Sequence, residues 1–255
     1  MDLAGVINFR DFGGMPGADG RRVRTGRLFR SGHFATATEA DVERLAELGF
    51  ALFVDLRRPP ERLRDPARRP QSPGAHLLEH QGPTEVAVAP HLAFLSQPDP
   101  SPDKVTEGMI AGYRYYPFDP HYVAVYRDYF PLLASVEGPV LVNCHAGKDR
   151  TGFLCALTLH VLGVSHDDVF EDYLATNRHN QADARMQEMA DGFAATHGYA
   201  PSQALLRRMM AADAVYLEAA FQAIAEQHGD IDTYLAEVAG LGEGIKERIR
   251  EKLLV

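Results

Sequence analysis

Residues 142–152, VNCHAGKDRTG, place Cys144 and Arg150 six positions apart around a short loop that contains Gly147. A cysteine and an arginine at that spacing make an anion cradle with a nucleophile at its base. Residues 138–142 (GPVLV) read as a turn and then a continuous apolar β-branched run, the pattern of a buried strand. Residues 151–162 (TGFLCALTLHVL) read as a helix stopped by Gly163. Cys144 therefore stands where a strand ends and Arg150 where a helix begins. The loop between them can turn successive N–H groups inward, and the helix N-terminus adds partial positive charge, so a tetrahedral dianion can be held without a metal. The same field favours a thiolate over a thiol.

Other readings of the loop fail on spacing. A nucleotide-binding loop needs Gly five residues before Gly147 and Ser or Thr after Lys148, where the chain has Val142 and Asp149. A redox or zinc site needs a second nearby cysteine, and the other one, Cys155, is eleven residues on and inside the helix. At 1.5 Å per residue it lies roughly 15 Å away, beyond the ~7 Å Cα separation of a disulfide. Cys155 reads as a small buried hydrophobe.

With Cys, five residues, Arg and then Thr151, the loop resembles the signature of the cysteine-dependent protein tyrosine phosphatase superfamily. Its AGKDRTG core is similar to the atypical bacterial branch typified by mycobacterial PtpB, reported to act on phosphotyrosine, phosphoserine or phosphothreonine, and phosphoinositides. Residues 8–14 (NFRDFGG), 26–32 (GRLFRSG) and 54–57 (VDLR), with Glu61 shortly after, recur in that order in the branch. The resemblance spans most of residues 6–175, and the C-terminal 80 residues share only a helical character. One departure stands beside the nucleophile: where the superfamily usually has His, this chain has Asn143, with a histidine instead at His145.

The resemblance implies two-step phosphoryl transfer. Cys144 attacks phosphorus, and the loop amides of His145, Ala146, Gly147, Lys148, Asp149 and Arg150, with the Arg150 guanidinium, hold the equatorial oxygens. Arginine suits the task because its planar fork meets two oxygens at once. Thr151, by resemblance, eases departure of the sulfur in the second step. Lys148 would add a flexible charge for a second phosphate or an acidic headgroup. For the general acid, Asp149 is suspected in this branch. Asp119, on a Pro-flanked loop in YYPFDP, is the alternative, and Asp55 is expected to be a structural acceptor for loop amides or Arg57. The expected activity is a protein tyrosine or dual-specificity phosphatase. A phosphoinositide or other small-molecule phosphatase is the alternative within the same chemistry, and a silent phosphate-binding module the alternative outside it.

The elements that must position these groups follow from pattern. Thr38 caps a helix over residues 38–50 that Gly49 ends, and a buried strand follows over 50–55. Residues 76–79 read as a short strand, 103–116 and 121–136 as helices, the second bent or interrupted near Pro131, and 82–102 as a mobile Pro-, Ser- and Ala-rich loop. Ser165 caps a helix to about Asn177, followed by helical candidates at 181–196, 202–228, 230–239 and 243–254. Alternating strands and helices give an α/β fold with a central, mainly parallel sheet like that of tyrosine phosphatases. The organisation expected is one domain over 1–255, with a phosphatase core to 175 and a helical extension at 176–255 that reads either as further core or, as reported in the branch it resembles, as a lid over the site. HLLEH, residues 76–80, fits a zinc-protease pattern, but turn residues bound it too tightly for a helix. On a strand its histidines lie roughly 13 Å apart, too far to share a metal. No metal or cofactor is called for.

The net charge of −9 argues against nucleic acid as a partner. Its distribution is uneven: residues 1–70 hold 13 basic and 10 acidic groups, and the rest 13 and 25. Six arginines fall within 57–69, a patch that could meet anionic substrates or an anionic membrane surface, or simply a solvated face. No long apolar run or signal peptide is evident, so the cytoplasm is the default compartment, and the resemblance keeps export without a cleavable signal open. The oligomeric state is not legible.

Overall fold

The computed structural model describes residues 1, 3–82, 101–180, 182–199 and 201–255. Five strands form one sheet: β1 (Arg10–Asp11), β2 (Leu28–Ser31), β3 (Leu52–Asp55), β4 (His76–Leu78) and β5 (Val140–Asn143). The spatial order is β1-β2-β5-β3-β4, antiparallel at β1 and parallel elsewhere. The last strand in sequence thus lies between β2 and β3, where the chain has reversed its progress across the sheet. In such sheets a ligand site forms beyond the strand C-termini at the reversal.

The strands alternate between two apolar cores. Phe29, Phe53 and Leu141 face a smaller cluster with Phe34, Leu45 and Phe50, beneath α1 (Glu39–Ala46). Leu28, Leu52, Val54, Val140 and Val142 face the larger cluster on the opposite side. That side carries α3 (Pro102–Tyr115), α4 (Pro120–Ser135) and α5 (Asp149–Val161). Helix α5 is apolar around its circumference and buried along most of its length, as a helix through a core must be. The short α2 (Pro59–Arg64) follows β3, and α6 (His166–His179) follows α5.

Local chemistry sets the boundaries. Thr38 accepts from the Asp41 amide and Asp41 reaches back to the Thr38 amide, a reciprocal cap that starts α1. Ser165 caps α6, and Gly163 takes φ +73° just past α5. Pro131 lies inside α4 without ending it. Residues 83–100 of the expected loop lie outside the described residues.

The C-terminal part is helical, as expected: α7 (Ala182–His197), α8 (Gln203–Met210), α9 (Ala214–His228), α10 (Ile231–Glu237) and α11 (Glu243–Leu253). The single helix expected over 202–228 is instead two. Ala211 is extended (ψ 137°), Asn177 pairs with both the amide and the carbonyl of Ala212, and Asp213 caps α9. Residues of α8 to α11 share the larger core with the sheet, and α9 packs along α3. Among the described residues no helix is long and apolar enough to cross a membrane.

Candidate active site

The register sets Ser31, Asn143 and Asp55 side by side at the C-terminal edge of β2, β5 and β3. Cys144 follows directly and is 2% exposed. The loop then turns at Gly147, where φ is +66° and a Cβ would stand 2.3 Å from the Ser31 carbonyl carbon. Only glycine combines that conformation with that approach.

The outer side of the loop is tied down carbonyl by carbonyl. The His33 amide donates to His145 O (3.0 Å), Asn8 Nδ2 to Gly147 O (2.7 Å) and to Ala146 O (3.4 Å), and Arg30 Nη2 to Gly147 O (2.9 Å). The Gly152 amide takes Lys148 O as the first bond of α5 (2.8 Å). With these carbonyls facing outward, no acceptor among the described residues takes the amides of His145 to Arg150. That is the backbone arrangement an anion nest requires.

Behind the loop lies a buried ion cluster. Arg30 is fully buried and pairs with Asp172 of α6, which also accepts from Arg10 Nε at 3.1 Å. Arg10 in turn donates to Asn8 Oδ1, which aims the Asn8 amide at the loop. Burial would raise the Asp172 carboxyl, but the charges and hydrogen bonds of Arg30 and Arg10 hold it below the usual range. The NFRDFGG and GRLFRSG segments thus supply the struts of the loop. Sequence reasoning used them only as markers of resemblance, although an arginine inside the apolar strand LFRS signals a buried partner.

Arg150 is oriented by Glu61. Its Nη1 donates to Glu61 Oε2 (2.6 Å) and Leu56 O (3.4 Å), and its Nη2 to Glu61 Oε1 (2.8 Å). Nε–H and the second N–H of Nη2 remain, the parallel pair on one edge of the guanidinium that can meet two phosphate oxygens. Glu61 also accepts the Arg58 amide (2.8 Å). Burial opposes its ionisation, but Arg150 holds its carboxyl down at about 2. Glu61 was seen in the sequence only as part of a block, with no role attached.

Asp55 is completely buried and works as the expected acceptor. It takes the Arg57 amide (3.1 Å), the guanidinium groups of Arg57 and Arg69, and Asn143 Nδ2 (3.1 Å). Asn143 thus joins the nucleophile's strand to this cluster. His145 lies against His33 with ring centroids 4.7 Å apart. Burial, then the neighbouring His33, lowers its imidazole to about 4, so it is neutral at physiological pH and supplies no charge in place of the missing histidine. The Thr151 hydroxyl is buried without a hydrogen-bond partner among the described residues. Cys155 is a buried free thiol pushed up to about 12 by burial.

The two candidate acids differ. Both oxygens of Asp119 are engaged, one as the cap of α4 on the His121 amide (2.9 Å), the other by Arg58. Asp149 accepts from Tyr113 OH on Oδ1 (2.8 Å), and its side chain is 21% exposed. Lys148 requires a correction. Its side chain is 4% exposed and its ammonium donates to Met209 O and Ala211 O (3.1 Å), so the flexible charge expected for a second phosphate is engaged by the end of α8. The arginine patch is also largely paired: Arg57 and Arg69 with Asp55, Arg58 with Asp119, Arg62 with Glu79 and Arg64 with Asp65. Residues 76–78 of the HLLEH pattern are strand β4, not the helix that zinc ligation would need.

The model of the "Tyrosine phosphatase family" matches residues 1–255. The chain belongs to the tyrosine phosphatase family. A tyrosine-protein phosphatase of Cupriavidus necator is 36% identical over 238 residues, spanning 91% of this chain and 81% of that one. The triple specificity protein phosphatase PtpB of Mycobacterium tuberculosis is 32% identical over 278 residues, 99% of this chain and 98% of that one. A tyrosine-protein phosphatase of Nostoc commune matches over 146 residues at 26% identity. This member of the family is a phosphatase that hydrolyses phosphate monoesters, and its substrates are phosphorylated molecules.

Proposed function

We propose that this phosphatase acts on phosphotyrosine in proteins through a phosphocysteine intermediate at Cys144. The observation that carries the reading is the loop itself: a nucleophile at the end of β5, amides without internal acceptors, and Arg150 held by Glu61 with one two-pronged edge left over. Cys144 Sγ attacks phosphorus in line, the S–P bond forms and the P–O bond to the leaving group breaks. The equatorial oxygens gain donors from the loop amides and Arg150 as charge develops. Asp149 Oδ2 gives the leaving oxygen its proton and afterwards takes one from the water that hydrolyses the S–P bond. Thr151, whose hydroxyl is not engaged elsewhere, donates to the departing thiolate. A nucleophile that is 2% exposed is reached by the long side chain of tyrosine more readily than by that of serine, which supports the tyrosine preference.

A broader range that includes phosphoserine, phosphothreonine or phosphoinositides is the second reading, favoured by the name of the mycobacterial relative. The paired arginines and the engaged Lys148 give it less support at this site. The test is turnover of para-nitrophenyl phosphate in chelator, for wild type and Cys144→Ser, followed by a side-by-side panel of phosphopeptides and phosphoinositide vesicles. Chelator-resistant activity that disappears in the serine variant, with phosphotyrosine peptides turned over fastest, is the expected result. Undiminished activity in Cys144→Ser contradicts the mechanism.

A further inference from the structure

We propose that Tyr113 is a positioning residue that confines the acid's proton to Oδ2 of Asp149. The inference rests on the reading of Asp149 as the general acid and concerns which of its oxygens does the work.

Tyr113 lies near the end of α3 and is fully buried. Its hydroxyl donates to Asp149 Oδ1 at 2.8 Å and lies 2.7 Å from the Tyr173 hydroxyl of α6. A phenol has one proton to give. Because that of Tyr113 goes to Asp149, Tyr173 must be the donor in the second contact, and the chain runs Tyr173 to Tyr113 to Asp149. The Lys148 ammonium stands 3.4 Å from the same Oδ1. Oδ1 thus faces a cation that cannot accept a proton and a hydroxyl that donates to it; a proton on Oδ1 would have to reverse the Tyr173–Tyr113 chain beside an ammonium. When Asp149 is protonated, the proton is on Oδ2, the oxygen left for the leaving group.

The groups that face Asp149 are Lys148 from its own loop, Tyr113, Tyr173, Tyr216 of α9, and Tyr116 in the single turn Tyr116–Phe118. Burial pushes all four phenols up, so each is neutral over the assay range. The Tyr113 ring packs on Tyr116 and Tyr216, contacts that a phenylalanine keeps. Tyr113→Phe therefore keeps the packing and removes two hydrogen bonds, the one given to Asp149 and the one taken from Tyr173.

The experiment compares wild type, Tyr113→Phe, Asp149→Asn and the double variant on para-nitrophenyl phosphate and on phenyl phosphate, which has the poorer leaving group, across pH. The expected effect of Tyr113→Phe is a loss of about tenfold on phenyl phosphate with a much smaller loss on the activated ester. In the Asp149→Asn background the same change should add nothing. Tyr173→Phe, which spares the contact to Asp149, should show the same signature at smaller size. Equal slowing of both substrates by Tyr113→Phe, or further slowing of the Asp149→Asn variant, would overturn the proposal and leave Tyr113 a packing residue. If Asp149→Asn itself slows both substrates alike, the acid assignment falls and the proposal falls with it.

Discussion

Arg150 shows how one side chain is made specific by its neighbours. Without Glu61 the guanidinium could present any of its edges, whereas the paired oxygens of Glu61 leave one edge for the substrate. Glu61→Gln keeps the size and removes the charge. We expect kcat/KM for para-nitrophenyl phosphate to fall by about tenfold, the scale of a lost charge-assisted hydrogen bond. Steady-state kinetics check this, and unchanged kinetics would mean that Arg150 needs no partner to hold its orientation. Arg150→Lys should lose roughly a hundredfold or more, because a point charge cannot replace the fork. Cys144 and Arg150 were legible in the sequence because their chemistry is set by local spacing. The setting of Lys148 and Asp149 was not, because Met209, Ala211 and Tyr113 reach them only through the folded chain.

Among the elements, strands β3 and β5, helices α1, α5 and α6 and the short β4 could be read from periodicity and caps. Strands β1 and β2 could not, since two residues carry no period and LFRS breaks its apolar run with an arginine that only the fold pairs. The break between α8 and α9 is likewise tertiary: Asn177 and Lys148 take backbone groups that a continuous helix would have used for itself. The junctions matter to the site. Gly147→Ala combines a positive φ with a Cβ 2.3 Å from Ser31, so the loop must move and activity should be lost even where circular dichroism shows a folded protein. Asp172→Ala leaves Arg30 buried and unpaired, and breaking such a cluster costs about 3–5 kcal/mol. Urea unfolding should show this as a lower midpoint, and a change under about 1 kcal/mol would remove the cluster from the account of stability.

For the molecule as a whole, the same carboxylates fix the response to acid. Glu61 is held at about 2, and Asp55 and Asp172 lie below their ordinary value despite burial, because the arginines beside them favour the charged form. A carboxyl depressed in the folded state contributes stability that is present above its unfolded value, about 4, and is lost as pH falls through the folded one. Thermal melting between pH 7 and pH 2 should therefore show a steep loss of stability below about pH 4. A flat profile through that range would contradict the pairing. The fold as a whole ties α6 and α8 to one loop, and the mechanism proposed for it passes the phosphoryl group through Cys144. The direct measurement is to quench turnover of a 32P-labelled phosphotyrosine peptide in acid within milliseconds and map the label by mass spectrometry. The account predicts phosphate on the peptide containing Cys144 in the wild type and none in Cys144→Ser. Turnover without label on Cys144, or label on another residue, would contradict it.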